Sequence, residues 1–60
     1  MTEYEQKIVN AFRALCAEQG GAASPHEVTE RMAKRGELTS MDTVIDIEKL
    51  MKGLRNRGVL

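Results

Sequence analysis

Breakers placed at regular intervals dominate this chain: Gly20-Gly21, Ser24-Pro25, Gly36 and Gly58 cut it into three stretches. Each stretch carries apolar residues at the three- and four-residue spacing of a helix face. The first opens with "TEYE", a capping box in which Thr2 accepts from the Glu5 amide and Glu5 reaches back to the Thr2 amide. Tyr4, Ile8, Ala11, Phe12 and Leu15 then recur on one side, widened by Val9 and Cys16. The glycine pair ends the run, since glycine tolerates the left-handed conformation that terminates helices. The second stretch begins "SPHE", a serine cap with proline at the first helical position and glutamate at the third. Val28, Met32 and Ala33 are its expected buried face, and Lys34 and Arg35 suit the negative end of its dipole before Gly36 stops it. The third is expected to start between Thr39 and Asp42, with Ser40 or Asp42 as cap. Val44, Ile47, Leu50, Met51 and Leu54 form its apolar face, and Gly58 closes it with Val59 folding back on Leu54.

These signals predict an all-α fold, one three-helix domain over residues 1–60, with helices at about 2–19, 25–35 and 40–57. Little is left for sheet beyond "AAS" at 22–24 and "VL" at 59–60. A chain of 60 residues buries only about 60 % of its unfolded surface. With Tyr4 and Phe12 its only aromatics, the core must be aliphatic. No apolar run approaches the roughly 20 residues that span a bilayer, and "MTEYEQK" lacks a signal peptide's pattern. A soluble, cytoplasmic protein without membrane contact is expected. Cys16, the single cysteine, four residues after Phe12, reads as a packed thiol.

Net charge is zero but unevenly spread. Residues 1–30 hold two basic and five acidic side chains, net −3, whereas residues 31–60 hold seven and four, net +3. In "IEKLMKGLRNRG", residues 47–58, the apolar stripe is interleaved with basic residues. At roughly 100° per residue, Ile45, Lys49, Lys52 and Asn56 fall opposite that stripe, and Gly53 beside them permits close approach to a backbone.

The segment from Val28 to Leu60, and above all "DIEKLMKGLRNRGVL", resembles the winged helix-turn-helix domains of bacterial transcription regulators. It matches their pattern of apolar residues at Ile47, Leu50 or Met51 and Leu54, then a polar or basic pair, a glycine and two aliphatics. The resemblance implies a helix-turn-helix core, winged-helix-like, with the third helix presented to the major groove of double-stranded DNA in transcriptional or replication control. Two features depart from the family. The sequence stops at Leu60, where a wing hairpin begins, so the β-hairpin is expected to be minimal or missing. "GELTSM" is also longer and more polar than a tight turn, unless the third helix starts as early as Thr39.

On this basis Lys49, Lys52 and Asn56 are the expected DNA-binding residues, supported by Arg55, Arg57 and Thr43. Lysines neutralise phosphates or contact guanine, and asparagine bonds adenine. Basic residues late in a helix also complement its dipole whatever the function. Asp42, Asp46 and Glu48 in its first half oppose phosphate approach. The alternative is a small protein–protein interaction or oligomerisation module, a homodimer or heterocomplex docking through Leu38, Met41 and Ile45.

No enzyme or cofactor is expected. His26 has only Glu30 at ligand spacing. Ser24 and Ser40 lack a histidine base, no glycine-rich phosphate loop follows a strand, and Asp42 with Asp46 lacks a calcium-loop pattern.

Overall fold

The computed structural model describes residues 1–39 and 43–60. They form three helices, α1 (Glu3–Gln19), α2 (Pro25–Lys34) and α3 (Val44–Asn56), with no strand among the described residues.

All three helices begin with a complete capping box, Thr2 with Glu5, Ser24 with Glu27, and Thr43 with Asp46. Each box satisfies amides that have no partner inside the helix. The exits also differ from mid-helix geometry. At α1 the left-handed Gly20 donates its amide to the Cys16 carbonyl at 2.9 Å. The ends of α2 and α3 share a two-bond pattern. Gly36 and Glu37 donate to the carbonyls of Ala33 and Met32, as Gly58 and Val59 do to those of Arg55 and Leu54. Val59 then lies against the core, as its spacing from Leu54 implies.

The core is one aliphatic cluster drawn from every helix. Ile8, Val9, Ala11 and Leu15 come from α1, Val28 and Met32 from α2, and Ile47, Met51 and Leu54 from α3. Tyr4, Phe12, Cys16, Leu38 and Leu50 pack around it half-buried. Full burial of each large aliphatic side chain contributes roughly 1.5–3 kcal/mol before entropy is counted, so α2, too short to persist alone, is held by its neighbours. It packs extensively on both α1 and α3, whereas α1 and α3 touch least.

Polar contacts reinforce the same pairs. The Arg31 guanidinium donates in a two-pronged fork to the Glu18 carboxylate, at 2.8 and 2.6 Å, tying α2 to α1. Gln19 donates its side-chain amide to Glu27. Arg57 donates to Glu5 at 2.8 Å, joining the end of α3 to the first turn of α1.

The structure corrects four expectations. The third helix starts at Val44, capped by Thr43, so its start does not fall between Thr39 and Asp42; Ser40 and Asp42 lie outside the described residues. Ala33 is exposed, and Thr29 takes its place in the buried face of α2. The Thr29 hydroxyl tolerates burial by donating to the Pro25 carbonyl at 2.8 Å. Residues 22–24 and 59–60 form no strand, and Ala23 belongs to the core. Finally, α2 and α3 end at Lys34 and Asn56, one residue early, with Arg35 and Arg57 as their C-caps.

Candidate functional site

Because Ile47, Met51 and Leu54 are committed to the core, α3 is fixed in rotation and its opposite side must face outward. That side presents Ile45, Lys49, Lys52 and Asn56, all exposed, as are Gly53 and Arg55 next to them. The side chains of Lys49, Lys52, Arg55 and Asn56 make no hydrogen bond or ion pair with any other described residue. The long basic side chains are therefore free to meet a charged partner. Ile45, at 65 % exposure, is one of two large apolar side chains left in solvent among the described residues, the other being Met1.

Two residues grouped with this face by sequence have other partners. Arg57 sits at the C-cap of α3 and is engaged by Glu5, whose side chain keeps only 15 % of its exposure. The Thr2 backbone amide, helped by the Thr2 hydroxyl and Arg57, holds the Glu5 carboxyl below its ordinary value of 4.5, so the clasp stays charged at neutral pH. The Thr43 hydroxyl closes the capping box, accepting from the Asp46 amide at 3.4 Å and donating to Asp46 Oδ2 at 3.0 Å.

The same box changes the local electrostatics. Asp46 is turned back onto the N-terminus of α3, where Oδ2 also accepts from the Thr43 amide at 2.9 Å. A carboxylate at this end is balanced by the positive pole of the helix. Of the acids expected to oppose phosphate approach, Asp46 is thus compensated and Glu48 stands exposed beside the basic face. Asp42 lies outside the described residues.

The apolar patch expected from Leu38, Met41 and Ile45 is not assembled by the described residues. Leu38 packs on the core, Met41 lies outside them, and Ile45 alone is exposed. Elsewhere, a shallow groove of about 220 Å³ runs between α1 and α2, lined by Leu15, Glu27, Glu30, Arg31 and Lys34. Glu27 and Arg31 in it are already bonded to Gln19, Ser24 and Glu18. Nothing in the spacing of the sequence marks this groove, because it arises from the crossing of two helices. His26 Nε2 lies 3.8 Å from Glu30 on the exposed side of α2. Among the described residues no three His, Cys, Asp or Glu side chains converge as metal ligands, and no helix is long and apolar enough to cross a membrane.

Compared with protein-family models, curated proteins and solved structures, the chain finds no match.

Proposed function

We propose that the chain is a DNA-binding domain of helix-turn-helix type, related to the winged-helix regulators, acting in transcriptional or replication control. In this proposal α2 braces the assembly and α3 enters the major groove. The observation that carries it is the outward face of α3, where Lys49, Lys52 and Asn56 stand exposed and unpartnered among the described residues while the opposite face is locked in the core. Lysines there neutralise phosphates and the asparagine offers the two-pronged pattern that adenine accepts. Arg55 adds charge at the flank. The compensated state of Asp46 removes one objection to phosphate approach. Nine positions of the sequence, 35–43, separate α2 from α3. The proposal therefore rests on the surface of α3 and not on the turn. A few basic side chains release only a few counterions, so two copies on half-sites about one helical turn apart suit tight binding better than one.

A second function, a protein-interaction module, is favoured by one observation, the exposed Ile45 on the same face.

Titration of the chain against labelled duplex DNA at roughly 50 and 200 mM salt separates the two. The expected result is salt-steep binding that Lys49→Ala with Lys52→Ala abolishes or strongly weakens, with the log–log salt slope reduced by about two. Absence of binding at the lower salt, together with a stable dimer or heterocomplex by light scattering, overturns DNA binding in favour of protein interaction.

A further inference from the structure

We infer that Ile45 is a base-reading residue that packs against the 5-methyl group of thymine, so that the preferred duplex carries a thymine beside the adenine or guanine met by the polar residues of α3. This rests on the DNA-binding proposal above and adds to it a class of sequence.

Ile45 lies in the first turn of α3, the part of such a helix that reaches deepest toward base edges when it docks end-on into a groove. It shares its side with Lys49, one turn further on, and with Lys52 and Asn56. Those three supply charge and hydrogen bonds to one partner surface. Of all chemical groups on the floor of the major groove, the thymine methyl is the apolar one, and β-branched or small apolar side chains complement it. The alternative use of Ile45, packing within the chain, is excluded by its 65 % exposure, and Leu38 packs half-buried on the core. The charge of the surroundings also favours a nucleic acid over an apolar protein groove. Lys49 and Lys52 lie one and two turns beyond Ile45 on this side, against one exposed acid, Glu48, while Asp46, next to Ile45 in the chain, is folded onto the cap.

Two duplex pools with the same randomised core, one made with thymine and one with uracil in its place, test the inference on the whole chain at low salt. Wild-type protein is expected to retain the thymine pool about three- to fivefold better per contacted base, the effect of one methyl-sized apolar contact. Ile45→Ala, at an exposed site where alanine is the better helix former, shortens the apolar contact and is expected to narrow the thymine preference while keeping the salt dependence set by Lys49 and Lys52. Equal retention of both pools by the wild type, or undiminished preference for thymine in Ile45→Ala, overturns the methyl contact and leaves DNA binding standing. No retention of either pool overturns both. A wild-type dimer that Ile45→Ala converts to monomer, without thymine preference, assigns Ile45 to self-association and overturns the inference.

Discussion

Gly53 occupies the interior of α3, where glycine is about 0.5–1 kcal/mol less favourable than alanine, and the molecule itself gains nothing from it. A β-carbon built there meets no atom within 4 Å, and its backbone is not left-handed. Its place beside Lys49 and Lys52 suggests a use outside the chain, the close approach of a sugar-phosphate backbone. Gly53→Ala is accordingly expected to raise stability by about 0.5–1 kcal/mol in urea unfolding while weakening binding to duplex DNA. Movement of both quantities in the same direction, or unchanged affinity, counts against that use. Thr43 teaches a different lesson at this scale. Its sequence signature for capping, Thr-x-x-Asp, falls outside the more familiar pattern ending in glutamate or glutamine, and Ser40 and Asp42 just before it compete on paper. In the structure Thr43 stands at the helix entrance, one turn before the buried Ile47. The hydroxyl of Thr43, a residue expected to support DNA binding, donates to Asp46.

At the level of elements, α1 and the start of α2 were readable because local chemistry alone sets them: capping boxes, proline, and glycine exits act over three or four residues. The apolar stripe of α3 was readable for the same reason. What escaped was decided by contact between elements. Ala33 looks apolar but faces solvent, and Thr29 looks polar but is 8 % exposed, because α2 is rotated to fit both α1 and α3. The Glu18–Arg31 fork and the Glu5–Arg57 clasp likewise have no signature in spacing. The exit of α2 offers a test of the local chemistry. Gly36 has φ +68°, and an added β-carbon there meets nothing within 4 Å, so any penalty is conformational and not steric. Gly36→Ala is expected to cost about 1–2 kcal/mol, lowering Tm by roughly 4–16 °C, with Gly36→Asn losing less. Thermal unfolding followed by circular dichroism reads both.

For the molecule as a whole, stability is coupled to three carboxylates. Glu5 is held below the ordinary 4.5 chiefly by the Thr2 amide. Glu18 is lowered by the hydrogen bonds of Arg31, and Glu27 by the Ser24 amide and then by Gln19. A carboxyl whose folded pKa is depressed stabilises the fold fully above its unfolded value and less as pH falls through the folded one. Tm is therefore expected to be steady above about pH 5 and to fall as pH drops below about 4.5. Glu18→Gln should start from a lower Tm and show a shallower acid decline, and a Tm that does not fall below pH 4 would count against the coupling. Salt should blunt the effect most at Glu18, the exposed one of the three. The Glu5–Arg57 clasp carries a consequence for chain connectivity. It joins side chains 52 positions apart, at the two extremes of the helical assembly. A short glycine-serine bridge from residue 60 to residue 1 would therefore have little distance to cover, and new ends could be opened between the exposed Gly21 and Ala22. The same three helices are thus open to circular permutation, with α2 leading and α1 last.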